Sequence, residues 1–308
     1  MSTYAPDYYK KFSCIADKCR HSCCIGWEID IDKKTLDYYK TIGGNMGERL
    51  KINISSGKEP HFVLGDDDRC PFLNHKNLCD IYTELGEQHL CQICSDHPRF
   101  RNFFDDRTEI GLGMCCEAAA SLILENEDKV NIVLCEGNKT DKNDVFFNMR
   151  QKAFDIVQNR KETMDKRIAK LREDFDVKIP ERTLGEWIDF YLTLENLDPE
   201  WKTLLENAES TDFTKISDFN SSHMQIALEQ LLVYFIYRHT ADAIYENNMN
   251  VRLAFALLSY EMVKYLTLSY GDVNIQSMAE VARMYSAEIE YSEENTDELL
   301  FELENELF

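Results

Sequence analysis

Glycine and proline are scarce in this chain, 12 and 6 among 308 residues, so it is poor in the residues that break helices and build tight turns. That scarcity excludes collagen-like and low-complexity linker proteins. Long apolar runs are also absent. No window holds the roughly eighteen consecutive apolar residues of a membrane-spanning helix, and Met1 to Ser13 lacks an apolar stretch followed by a small-residue cleavage site. The expectation is a cytoplasmic protein with no membrane partner. Basic residues are outnumbered, 34 Lys and Arg against 56 Asp and Glu, giving a net charge of −22. Such a chain repels a phosphate backbone, and with no strong local basic patch, nucleic-acid binding is excluded as a general function. The acidic surplus suits a lysine-bearing protein substrate, although acidity serves solubility equally well.

What is abundant is cysteine, and its distribution is uneven. Ten of the eleven cysteines fall within the first 116 residues. They read Cys14-x4-Cys19-x3-Cys23-Cys24, then Cys70 with Cys79, then Cys91-x2-Cys94, then Cys115-Cys116, with Cys135 apart. In a reducing compartment clustered thiols bind metal or do chemistry more often than they form disulfides, and an odd total fits a disulfide framework poorly. Thiolates are the soft ligands that zinc and iron-sulfur clusters prefer, and four of them, or three with a histidine, complete a site. The adjacent pairs Cys23-Cys24 and Cys115-Cys116 point to opposite faces of extended backbone, so one member of each pair is expected to pack or to serve a second site. Only Cys91-x2-Cys94 has the form of a zinc knuckle, and the CxxxCxxC and ferredoxin spacings are both missing. Zinc and iron-sulfur therefore stay open, and the site is assembled from separated segments.

Around these cysteines the sequence is irregular. Short strands are predicted at Phe62–Leu64, Arg99–Phe104, Ile110–Met114 and Val130–Leu134, with a short helix over Ala118–Leu124. Gly43-Gly44-Asn45-Met46-Gly47 reads as a loop, because no strand and helix flank it as a nucleotide-binding turn requires. From about Asp144 onward apolar residues recur at helical spacing, with Pro180 and Pro199 near helix boundaries. The expected class is mainly α: a cysteine-rich domain over 1–140 with short strands, a helical domain over 141–292, and an acidic tail over 293–308. Between Ser286 and Phe308 there are nine acidic residues and no basic one, interleaved with Leu299, Leu303, Leu307 and Phe308. That tail suits a docking helix, a disordered segment or a peripheral helix packed on the bundle.

At the cysteine segments the chain resembles a known family. Phe12-Ser13-Cys14-Ile15, Cys19, Cys23-Cys24, Gly26-Trp27 and Ile29-Asp30-Ile31-Asp32 resemble the N-terminal signature of the flagellin lysine-N-methylases, within the zinc- or iron-chelating CxxCxxCC group. Cys70-Pro71-Phe72-Leu73, Leu78-Cys79-Asp80-Ile81-Tyr82, Leu85-Gly86-Glu87 and Cys94-x3-Pro98-Arg99 follow in the same order. His97 stands where an aromatic residue is usual, and Cys116 where proline is. The resemblance implies methyl transfer from S-adenosylmethionine to lysines of flagellin, with an iron-sulfur cluster held among Cys14, Cys19, Cys23, Cys24, Cys70, Cys79, Cys91, Cys94 and Cys115.

A lysine amine must shed its proton before it attacks a methyl group. Tyr82, Glu87, His97 and Glu117 are the candidates for that task, and His97 suits a structural hydrogen bond as well. No GxGxxG follows a predicted strand, so S-adenosylmethionine rests on the resemblance alone. The runner-up reading is a non-catalytic zinc- or iron-binding interaction module. A thiol-redox protein ranks third, because a dithiol exchange needs far fewer cysteines.

Overall fold

The computed structural model describes residues 2–138, 145–208, 211 and 213–305. The chain forms two compact units, Ser13–Phe100 and a second made of Met1–Phe12 with Arg101–Phe308. The first is inserted, in sequence, between two strands of the second. The division falls at 12/13 and 100/101, whereas the sequence reading sets boundaries at 140/141 and 292/293.

The cysteine-rich unit carries four short helices, α1 (Lys33–Tyr39), α2 (Gly44–Asn53), α3 (Asp80–Leu85) and α4 (Gln92–Asp96). They pack around a small core of Ile29, Ile31, Tyr39, Met46, Leu50, Phe62, Phe72, Leu73 and Ile81, which also takes in Cys70 and Cys91. Isolated bridges, Ile25 to Arg69, Asp30 to His61, Ile54 to Phe62 and Leu73 to Cys79, replace regular sheet. The strand predicted at Phe62–Leu64 is thus reduced to bridging residues, since no neighbour is extended long enough to form a ladder with it. The predicted loop at Gly43–Gly47 is corrected too. Gly43 precedes the first turn of α2, and Gly47 lies on it, where a Cβ would run into the Ile42 carbonyl. Glycine answers a close approach there.

In the helical unit four strands, β1 (Ser2–Pro6), β2 (Arg99–Phe103), β3 (Arg107–Leu112) and β4 (Ile132–Glu136), form a sheet in the order β2-β3-β1-β4. β1 runs parallel to β3 and antiparallel to β4. Asp105 and Asp106 sit in the turn between β2 and β3, closed by a Phe104 N–H donated to the Arg107 carbonyl at 2.9 Å. The strand β1 has no alternation to announce it, and the sequence reading missed it. Among the described residues ten α-helices complete the unit: α5 (Glu117–Leu124), α6 (Val145–Val157), α7 (Met164–Asp174), α8 (Leu184–Thr193), α9 (Pro199–Ala208), α10 (Ser222–His239), α11 (Ala243–Glu246), α12 (Met249–Tyr270), α13 (Ile275–Tyr285) and α14 (Glu293–Asn305).

At the centre α10 packs on α12, and both bury residues on every side, including Tyr234, Tyr237, Phe235, Phe255 and Tyr260. Pro199 opens α9, as a residue without an N–H can. Glu109 of β3 accepts from Arg107 and, at 2.7 Å, from Arg150 of α6, so its buried charge is paired. A π-helical segment, Ser286–Glu290, follows α13; Glu290 accepts from the Tyr234 hydroxyl and from His239 Nε2, both at 2.7 Å. The acidic tail is a helix, α14, with Leu299 and Leu303 fully buried and Glu293, Glu294, Asp297, Glu298 and Glu304 exposed. Leu307 and Phe308 lie outside the described residues. No described helix is long and apolar enough to cross a membrane.

Candidate metal centre

Three local structures bring five thiols to the core of the cysteine-rich unit. In the first, the chain around Cys24 is laid against the chain around Cys70. Cys70 N donates to the Cys24 carbonyl at 2.9 Å, and Gly26 N donates to the Asp68 carbonyl at 3.1 Å. Gly26 has φ +89°, a conformation that favours glycine, and it lets the chain turn away directly after this pairing. Trp27 Nε1 donates to the Cys23 carbonyl at 2.7 Å, which fixes the turn from the other side. Of this adjacent pair Cys24 packs against the core while Cys23 is exposed.

The second structure is a tight loop over residues 73–79. The Asn74 side chain accepts from Lys76 N and Leu78 N, and Leu73 bridges Cys79, so Cys79 returns beside Cys70. Asp80, next in the chain, accepts from Asn74 Nδ2 at 2.8 Å and from Arg49 Nη2 at 2.7 Å. Against the cost of burial, these bonds hold its carboxyl below the usual range. Arg49 also donates to the Pro71 carbonyl and lies over the Phe72 ring, locking the Cys-Pro-Phe-Leu turn to α2.

The third is the turn into α4. Cys91 caps the helix and Cys94 lies one turn on, so the two sulfurs share a face. The helix α1 grips this turn twice. Asp32 caps α1 through Thr35 N with one oxygen and accepts from Gln92 N at 3.0 Å with the other, and the Tyr39 hydroxyl donates to the His89 carbonyl at 2.7 Å. Gly86, at φ +97°, makes the sharp exit from α3 that delivers the chain to His89.

Cys24, Cys70, Cys79, Cys91 and Cys94 form one electrostatic group. The thiol of Cys94 donates to Cys91, which lowers Cys91 and raises Cys94. A hydrogen bond from Cys23 lowers Cys24 to about 7, with smaller help from Ser22 and Arg69. Burial pushes Cys70 up to about 12 and raises Cys79, and each feels the charge of Cys24. Among the described residues no three Cys, His, Asp or Glu side chains converge closely enough to hold a metal ion. The five thiols are free, with hydrogen bonds from Cys94 to Cys91 and from Cys23 to Cys24. The donor set itself, five sulfurs with no carboxylate among them, suits a soft metal such as zinc or iron in a cluster.

The other expected site residues are spread out. Cys14 and Cys23 are exposed and Cys19 is half-buried in the loop that leads to Cys24. Cys115 belongs to the helical unit, where burial pushes its thiol up to about 12 despite a hydrogen bond from Tyr291. Tyr82 and Glu87 are exposed on α3 and the turn after it. His97 packs on Trp27 with ring centroids 6.3 Å apart, and burial lowers it to about 4. Glu117 opens α5 in the helical unit. Sequence reasoning gave no role to Asp32, Arg49 or Tyr39. For Asp32 the signal was present, an Asp three residues before Thr35 at a helix start; for Arg49 and Tyr39 nothing local marks them.

A family model described as "putative zinc- or iron-chelating domain" matches residues 13–110, nearly the bounds of this unit. The flagellar biosynthetic protein FliU of Salmonella muenchen is 31% identical over 133 residues, 40% of this chain and 77% of that protein. The chain belongs to the FliU family. Two lysine-N-methylases, from Salmonella typhimurium and Salmonella choleraesuis, are each 32% identical over 133 residues, again 40% of this chain. The matched part spans 32% of each of these longer relatives. No solved structure matches this FliU relative.

Proposed function

We propose that this protein methylates lysine side chains, those of flagellin among them, with S-adenosylmethionine as donor, and that its cysteine-rich unit holds an iron-sulfur cluster. The observation that carries the reading is the gathering of Cys24, Cys70, Cys79, Cys91 and Cys94 in one core, within the residues matched by the zinc- or iron-chelating domain model. Four of the five thiols are enough for a cluster. Its chemistry, when bound, is that of a Lewis-acidic, electron-accepting iron centre. Zinc is the second reading, favoured by the Cys91-x2-Cys94 pair at a helix start.

The chain's own residues supply the substrate side. Glu87 and Tyr82 are exposed and open to a protein substrate. His97 is half-buried against Trp27 and serves as packing. We assign proton removal to Glu87. The test is a methylation assay on purified flagellin with labelled S-adenosylmethionine. Label is expected on lysine, and Glu87→Gln is expected to slow its transfer about a hundredfold. No label with metal-loaded protein would overturn the reading.

A further inference from the structure

Tyr39 is the last residue of α1 and one of the core residues of the cysteine-rich unit, only 2% exposed. Its ring lies between Tyr38 and Phe62, with centroids 6.3 Å from each. A phenylalanine would fill that space as well, so packing does not require the hydroxyl. Burying a hydroxyl carries a desolvation cost that its hydrogen bonds must offset. The hydroxyl has two neighbours, the His89 carbonyl at 2.7 Å and the Cys91 sulfur at 3.7 Å. Its one proton goes to the His89 carbonyl while its oxygen accepts from the Cys91 thiol; against a Cys91 thiolate, which has no proton to give, the hydroxyl turns its proton to the sulfur.

At the other end of the same helix Asp32 holds Gln92 N. The seven-residue helix α1 thus fixes the backbone on both sides of Cys91, and Tyr39 adds a contact to the sulfur itself. We propose that Tyr39 is a positioning residue of the metal centre, its hydroxyl fixing the Cys91 sulfur for metal binding and hydrogen-bonding that sulfur in the loaded site. The inference rests on the reading that Cys91 is a metal ligand. Groups that hydrogen-bond a ligand atom orient it and tune its donor strength.

The test uses the whole metal-free protein titrated with Co²⁺, whose thiolate-to-cobalt absorption reports sulfur ligation. Wild type, Tyr39→Phe, Cys91→Ser and the double variant are compared. Tyr39→Phe is expected to weaken Co²⁺ binding about tenfold and to move the absorption band. In the Cys91→Ser background the same change is expected to have no effect on affinity. Incorporation of 3-fluorotyrosine at position 39, which makes the hydroxyl a stronger donor with little change in packing, is expected to move the band oppositely, and this arm stands even if Tyr39→Phe folds poorly. An unchanged band in both substituted proteins would overturn the inference, and so would an equal loss with and without Cys91. If wild type itself gives no thiolate-to-cobalt band, the metal reading of the unit fails first and visibly.

Discussion

His97 sits in a motif position next to the thiols, and its chemistry is set by what surrounds its ring. Burial, helped by the nearby Arg99 charge, lowers it from 6.5 to about 4, so it is neutral in the folded protein across the physiological range. A histidine whose folded pKa lies below its unfolded value costs stability as pH falls through that gap. The unfolded chain takes up the proton first, between 6.5 and 4, and above 6.5 the penalty vanishes. Replacing His97 by Phe, the kind of residue usual there, removes this proton uptake. The urea midpoint of His97→Phe is expected to fall less than that of wild type between neutral pH and pH of about 4.5. Parallel slopes in the two proteins would refute the assignment.

At the scale of elements, the regular helices were legible because their apolar spacing is long and unbroken. The helices α6, α8, α10, α12 and α13 follow that pattern, and Pro199 marks the start of α9. The strand β1 was not legible, since five residues of mixed character form a strand only once β3 and β4, a hundred residues away, flank them. The helix at Gly44–Asn53 was hidden by its glycines: Gly44 takes φ +67°, and a Cβ on Gly47 would run into the Ile42 carbonyl. The tail left three readings open in sequence, and burial of Leu299 and Leu303 decides for a packed helix on α12. Leu303→Ala is therefore expected to destabilise the helical unit by about 2–5 kcal/mol, measured as a lowered denaturation midpoint. A cost near zero would mean that α14 is not part of the fold.

For the molecule as a whole, the motif-bearing cysteines divide by environment in a way that their order does not reveal. Sequence placed nine of them in one series, and the fold gathers Cys24, Cys70, Cys79, Cys91 and Cys94. It leaves Cys14, Cys19 and Cys23 on a loop and puts Cys115 into the helical unit. That division depends on long-range pairings such as Cys70 N to the Cys24 carbonyl and on side chains without a motif, Asp32 and Tyr39. Spacing could give the kind of donor, whereas the grouping needed tertiary structure. The insertion of the cysteine-rich unit in the chain between β1 and β2 was likewise invisible, because the partners of β1, β3 and β4, lie beyond the insert in sequence.

The most direct test is the iron and acid-labile sulfide content of the protein reconstituted without oxygen, with its visible spectrum, for wild type and two sets of variants. Cys91→Ser/Cys94→Ser is expected to abolish bound iron, sulfide and colour, while Cys135→Ser keeps all three. Equal retention in both, or wild-type protein that binds neither iron nor sulfide, would contradict an iron-sulfur centre built on the five gathered thiols.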